Sequence, residues 1–254
     1  MLKRPSKKPK QQRQLKQLPV GVADVSSAGR VETGIPGFDM MIGGGMVPAS
    51  FNLLSGSAGT GKSTFALQFL YYGAKEKDEP GIYISLEREP SEIIEHMKKF
   101  GWKVDKLIEE NKLRIIKPDL AKFETLKNTI ADEVDHFGAK RLVINPFSLI
   151  TAYFANVYDV RRALSDLRGQ VNKLGCTTIV VSDIKEDEKI LSSTGYEEFV
   201  VSGVILLGFS KKDPSTFVRT ILVRKMEETN HSLKLVPMEI GSEGITVYPN
   251  AEVF

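Results

Sequence analysis

Phe51 to Thr64 reads FNLLSGSAGTGKST, a short apolar run followed by a glycine-rich loop. Gly56, Gly61, Lys62 and Ser63 satisfy the eight-residue phosphate-binding pattern, with Ser57, Ala58, Gly59 and Thr60 between them and Thr64 closing the stretch. The run from Phe51 to Ser55 is a candidate buried strand. From Lys62 onward Phe65, Leu67, Phe69 and Leu70 recur at helical spacing, and Gly73 is expected to stop the helix. Strand, glycine loop and helix are the context this pattern requires. Glycines let successive backbone N–H groups turn inward around a polyphosphate, and the helix that starts at the loop points its positive dipole end at the same anion. Lys62 is expected to reach the outer phosphates as a point charge. Ser63 offers a hydroxyl to magnesium, a cation that prefers oxygen ligands. The stretch therefore predicts a site for a nucleoside triphosphate and magnesium.

The remaining composition narrows the class. The 254 residues carry a formal charge of +3, and the stretch from Lys3 to Lys16 alone holds Lys3, Arg4, Lys7, Lys8, Lys10, Arg13 and Lys16 without an acid, leaving the body at −4. Residues 1–30 read as a basic, disordered tail, either a tether for nucleic acid or an acidic partner or a solvated extension. Residues 31–254 are of the size that one α/β domain needs. No apolar stretch is long enough to span a membrane and none follows the basic start as a signal peptide would, so a cytoplasmic protein without membrane contact is expected. Cys176 is the single cysteine and lies in an apolar segment, as a small core residue would. His96, His136 and His231 have no metal-ligand spacing.

Strands and helices then alternate. Thr33 to Gly37 reads as a turn, Phe38 to Ile42 as a short helix, and Gly81 to Leu86 as a strand ending on Glu87. Helices are predicted over Pro90 to Gly101, Val104 to Asn111, Lys122 to Phe137 and Val160 to Leu174, with strands at Leu113 to Lys117, Arg141 to Asn145 and Thr177 to Ser182. Such alternation argues for a mostly parallel sheet covered on both faces. The last third differs: Ser202 to Phe209, Phe217 to Met226, Leu233 to Ile240 and Gly244 to Tyr248 read as strands joined by short turns, so the sheet should finish antiparallel.

The stretches TGIPGFD (33–39), SGSAGTGKSTFALQFLYYGAKEKDEPGIYISLEREPSEII (55–94), FGWKVDKLIEENKLRII (100–116), VRRALSDLRGQVNKLGCTTIVVSD (160–183), TGYEEFVVSGVILL (194–207) and TNHS (229–232) resemble the KaiC family of RecA-like P-loop ATPases, in order and spacing. The Phe100-Gly101-Trp102 turn and Gly195 to Phe199 carry the specificity that the loop alone lacks. The resemblance implies a homo-hexameric ring with ATP at each subunit interface and slow hydrolysis.

Carried over residue by residue, the match is uneven. Gly56 to Thr64 is complete. Where the family has two adjacent glutamates, the first activating the attacking water, this chain has Glu87 followed by Arg88, a cation able to pair with Glu87 and lower its basicity; a solvated strand-end ion pair without catalytic role is the alternative. Where the family places a magnesium-holding aspartate, this chain has Asn145, an amide that can accept from metal-bound water in the outer shell but brings no charge. Lys225 matches a lysine offered to the neighbouring subunit's nucleotide, while Glu227 stands where the family has arginine. A solvated charge on an edge strand is the alternative for Lys225. Thr229, Asn230 and His231 resemble the turn that approaches the neighbour's ribose and base, and Ser182 with Asp183 the position that senses the γ-phosphate.

Three functions remain open on these residues: a KaiC-like ring ATPase or ATP-driven switch, a recombinase-like DNA-binding ATPase, and a non-hydrolysing ATP-bound scaffold. Of the segments where recombinases carry DNA-binding loops, Ala152 to Tyr158 has the aromatics Tyr153, Phe154 and Tyr158 but no cation, and Ile184 to Ser193 sets Lys185 and Lys189 beside Glu186, Asp187 and Glu188, so neither makes a positive funnel and nucleic-acid contact is expected only through the tail.

Overall fold

A computed structural model describes residues 29–119, 122–151, 153–185 and 190–253, so residues 1–28 of the basic tail and the centre of the Ile184 to Ser193 segment lie outside the described residues. In chain order it contains α1 (Phe38–Met41), β1 (Phe51–Gly56), α2 (Lys62–Glu76), β2 (Gly81–Ser85), α3 (Pro90–Lys98), α4 (Val104–Glu109), β3 (Leu113–Ile116) and α5 (Phe123–Phe137). Then follow β4 (Arg141–Asn145), α6 (Ser148–Thr151), α7 (Val157–Lys173), β5 (Thr177–Asp183), a 3-10 turn (Glu197–Phe199), β6 (Gly203–Asp213), β7 (Thr216–Met226), β8 (Val236–Gly241) and β9 (Gly244–Val247).

The apolar runs of β1, β2, β4 and β5 are buried on both faces, as central strands of a parallel sheet must be. Phe51, Leu53, Ile82, Ile84, Leu142 and Ile144 face α5 and α7 in one core. Leu54, Tyr83, Val143, Ile179 and Val181 face α1 to α4 in the other. Nine strands pair in the order β3-β2-β4-β5-β1-β6-β7-β8-β9. The strands from β3 to β6 are mutually parallel, and β7, β8 and β9 close the sheet antiparallel. The chain thus runs outward from β1 to β2 and β3 and returns through β4 and β5, leaving a crevice at the carboxyl ends of β1, β2, β4 and β5.

Several boundaries differ from the sequence expectation, each for a local reason. Gly73 does not stop α2, which runs on to Glu76. A Cβ at Gly73 would lie 2.2 Å from Arg141 Nε, so this glycine makes room for a fully buried guanidinium. Arg141 Nε bonds Glu79 at 2.6 Å, Nη1 bonds Phe69 O at 2.8 Å, and the guanidinium lies over the Phe69 ring. That partner set offsets part of the cost of burying the charge, while Nη2 is buried without a hydrogen-bond partner. α7 starts at Val157 rather than Val160 because Asn156 caps it, its side chain accepting from the Asp159 N–H. β8 starts at Val236 rather than Leu233, and α6, after a cis Asn145–Pro146 peptide, went unpredicted.

Of the two segments that narrowed the family resemblance, the first is a tertiary clamp and the second a local knot of hydrogen bonds around Glu197. Trp102 stacks on Tyr71 with ring centres 5.0 Å apart and donates from Nε1 to Glu243 O at 3.0 Å, tying the α3–α4 turn to the β8–β9 hairpin. Glu197 is fully buried. Its carboxylate accepts from the hydroxyls of Ser192, Ser193 and Thr194 and from the Thr194 and Tyr196 N–H groups. Burial pushes this carboxyl up, but the hydrogen bonds outweigh burial and hold it below its ordinary value. Cys176 is a free, buried thiol pushed up to about 12 by burial, as its apolar surroundings imply.

Candidate functional site

The loop from Ser57 to Gly61 leaves β1 and enters α2 at the carboxyl edge of the sheet. Gly59 (φ 79°) and Gly61 (φ 104°) adopt left-handed backbone that an L side chain resists. Gly56 has a different reason to lack a Cβ, which would stand 2.5 Å from Leu207 O on β6. Gly61 caps α2 without a side-chain hydrogen bond, so the first-turn N–H groups remain available to an anion. Thr60 is buried and bonds back to Ser57 O at 2.8 Å, while Ala58 is exposed at the tip. From β7, Arg219 Nε reaches Gly59 O at 3.0 Å and braces the loop.

A cleft of about 350 Å³ opens beside the loop, lined by Gly59, Gly61 to Thr64, Tyr83, Ser85, Glu87, Arg88, His96, Asn145, Pro146, Asp183 and Ile240. Lys62 folds over its own loop, with Nζ 2.8 Å from both Gly56 O and Ser57 O and 3.0 Å from Asp183 Oδ1. This ammonium is therefore held at the cleft floor by one exposed carboxylate and two carbonyls. Ser63 Oγ lies 3.0 Å from Asn145 Nδ2, which also lies 2.5 Å from the Tyr83 hydroxyl. Burial raises the Tyr83 hydroxyl to about 12, against the hydrogen bonds from Asn145 and Ser63, so it remains protonated at neutral pH.

Glu87 and Arg88 both line the cleft, but the expected pair between them is replaced. Arg88 Nε bonds Glu92 Oε2 at 3.2 Å, in the first turn of α3, in place of Glu87. Ser182 also turns away: its Oγ accepts from Ser193 N at 2.9 Å, and Asp183 alone of that pair faces the cleft.

Lys225, Thr229, Asn230 and His231 lie elsewhere. β7 runs antiparallel to β6, with Arg219 at the loop end and Lys225 opposite Val204 at the start of β6. Six residues of strand at about 3.3 Å each put Lys225 roughly 20 Å from the loop edge of its own subunit. There Lys225 Nζ bonds Val201 O at 2.7 Å and pairs with Glu227 at 2.9 Å. Thr229 accepts from Arg30, His231 Nδ1 lies 3.2 Å from Ser232 O, and Asn230 is exposed on the turn.

Sequence reasoning missed Tyr83, His96 and Arg219. His96 Nε2 is 3.3 Å from Thr64 Oγ1, and burial, then Arg88 and Lys99, hold its pKa below the ordinary histidine value, so the ring is neutral at neutral pH. None of the three lies in a recognisable local pattern. Tyr83 had the one available signal, a phenol in an otherwise aliphatic strand that must find a polar partner when buried.

Fold and cleft together define a RecA-like P-loop ATPase domain. A family model described as "ATPase: KaiC" matches residues 31–252, and the chain belongs to that family. It is 38% identical over 238 residues to a UPF0273 protein of Methanocaldococcus jannaschii, covering 87% of this chain and 97% of that one. It is 34% identical to the circadian clock oscillator protein KaiC of Prochlorococcus marinus subsp. pastoris over 86% of this chain, which spans 45% of the clock protein. The crystal structure of a KaiC-like protein from Pyrococcus horikoshii superposes with a TM-score of 0.79 at 39% identity, covering 87% of this chain and 99% of that one. No helix among the described residues is long and apolar enough to cross a membrane.

Proposed function

We propose that this chain binds ATP with magnesium at Gly56 to Thr64 and hydrolyses it slowly, as a KaiC-like switch that works in a head-to-tail ring. The observation that carries this is the convergence in one cleft of Lys62, Ser63, the free first-turn N–H groups and Glu87, with an amide where the metal-holding carboxylate belongs. Lys62 exchanges its bonds to Gly56 O, Ser57 O and Asp183 for the outer phosphates. Among the described residues no group of three or more His, Cys, Asp or Glu could hold a metal. Magnesium fits here as an ion brought by the phosphates, with Ser63 supplying one oxygen and Asn145 an outer-shell partner. When bound, it neutralises charge on the phosphates. Asn145 adds none, so the metal is held less tightly and turnover is slow. Glu87 orients or deprotonates the attacking water.

A ring explains the position of Lys225. It is too far from its own loop to touch its own nucleotide, and a head-to-tail neighbour brings it to the next one, with Thr229, Asn230 and His231 beside the ribose and base. Six subunits are expected from the family resemblance, in the cytoplasm, with residues 31–254 acting as one domain and nucleic-acid contact limited to the tail.

The test is steady-state phosphate release by the parent protein and by Glu87→Gln, with and without single-stranded DNA, alongside ATP calorimetry. Slow release that ignores DNA and falls to background in Glu87→Gln, with ATP affinity retained, is expected. DNA-stimulated release would favour a recombinase, and tight ATP binding without release a scaffold.

A further inference from the structure

Asn145 sits between two hydroxyls. Tyr83 on β2 and Asn145 on β4 project to the same face of neighbouring parallel strands, in the register that pairs Tyr83 with Val143 and Ser85 with Asn145. Tyr83 is buried with its hydroxyl at the cleft, 2.5 Å from Asn145 Nδ2, and the same nitrogen lies 3.0 Å from Ser63 Oγ. The amide therefore donates to both oxygens. Each hydroxyl, however, can donate as well as accept. Turned end for end, the amide presents its oxygen to the same two partners and loses neither bond, because both hydroxyls then donate to it.

This freedom matters for Ser63. While its oxygen accepts from Asn145, one lone pair is spent and the hydroxyl proton has no partner in the amide. A cation drawing on that oxygen makes the hydroxyl a better donor and a poorer acceptor, which favours the reversed amide. A carboxylate at position 145 would accept in either orientation, but an amide has a right and a wrong end. Resting on the ATP site proposed above, we propose that Tyr83 is a positioning residue for magnesium-nucleotide: its hydroxyl holds the Asn145 amide in line with Ser63 and donates to the amide oxygen once Ser63 takes up magnesium.

The arrangement separates the metal-dependent part of affinity from the rest. Calorimetry of ATP binding in magnesium and in EDTA should show Tyr83→Phe weakening the magnesium-dependent affinity about fivefold, the worth of one ordinary hydrogen bond, while leaving the EDTA value unchanged. In an Asn145→Asp background the effect of Tyr83→Phe should shrink to less than about twofold, since the carboxylate needs no second partner to choose its orientation. If Tyr83→Phe is unstable, Asn145→Ala, which removes the amide and keeps the phenol, should reproduce the magnesium-selective loss. An equal loss with and without magnesium means that Tyr83 only packs, and a loss undiminished in the Asn145→Asp background means that it does not act through the amide; either overturns the proposal. Failure of the parent protein to bind ATP in both conditions would instead refute the nucleotide site itself.

Discussion

Gly56 to Thr64 holds its shape through backbone conformation, whereas the strand ends facing it carry their function in single side chains. In the loop, left-handed Gly59 and Gly61 and the tight approach of Gly56 to β6 leave little room for variation. Across the cleft, Glu87, Asn145 and Asp183 hang from the ends of separate strands. There a change of one functional group alters chemistry without disturbing the sheet. On the function proposed above, binding and turnover are separable: the loop half matches the family pattern throughout, and the strand-end half carries an uncharged group, Asn145, 3.0 Å from Ser63.

The largest effect that sharpens this contrast belongs to the loop. Lys62→Ala should lower ATP affinity by at least about 100-fold, because a charge-assisted bond to phosphate is worth roughly 3 kcal/mol. Calorimetry that finds the affinity unchanged would break the comparison on its binding side. Glu87→Gln, already described, should strike only the turnover side.

A smaller effect is expected at the far end of the sheet. Lys225→Ala should lower ATP affinity about tenfold and shift mass toward monomers together, since nucleotide that bridges an interface favours the assembled state. Light scattering on the ATP-loaded protein, read beside calorimetry, checks both. The hydrogen bond from Lys225 to Val201 O is a local tie within the subunit, so a purely structural lysine would lower the melting temperature and leave ATP affinity alone.

What was legible in the sequence follows the same division. The loop is contiguous, and its glycines, lysine and flanking periodicity lie within one stretch, so pattern and chemistry could be read together. The central strands were legible because burial on both faces demands unbroken apolar runs. Gly73 was misread because its reason lies in a distant strand: only the folded sheet brings the Arg141 guanidinium beneath it. Arg88 was assigned to its sequence neighbour Glu87, yet from just ahead of α3 it pairs with Glu92 in that helix's first turn. Tyr83 and His96 line the cleft and Arg219 braces the loop beside it, from three different elements. Apart from the phenol of Tyr83 in an aliphatic strand, nothing local marks them, since their partners Asn145, Thr64 and Gly59 are remote in sequence.

The separation of binding from turnover rests most heavily on Asn145. Restoring a carboxylate there adds the missing negative charge beside Ser63, where both neighbouring hydroxyls can donate to it. Steady-state phosphate release by Asn145→Asp against the parent, titrated with magnesium at saturating ATP, measures this directly. Turnover should rise about tenfold, at roughly 1.4 kcal/mol per tenfold, with half-saturation at lower magnesium. A variant that releases phosphate no faster than the parent, or needs as much magnesium, would contradict the account.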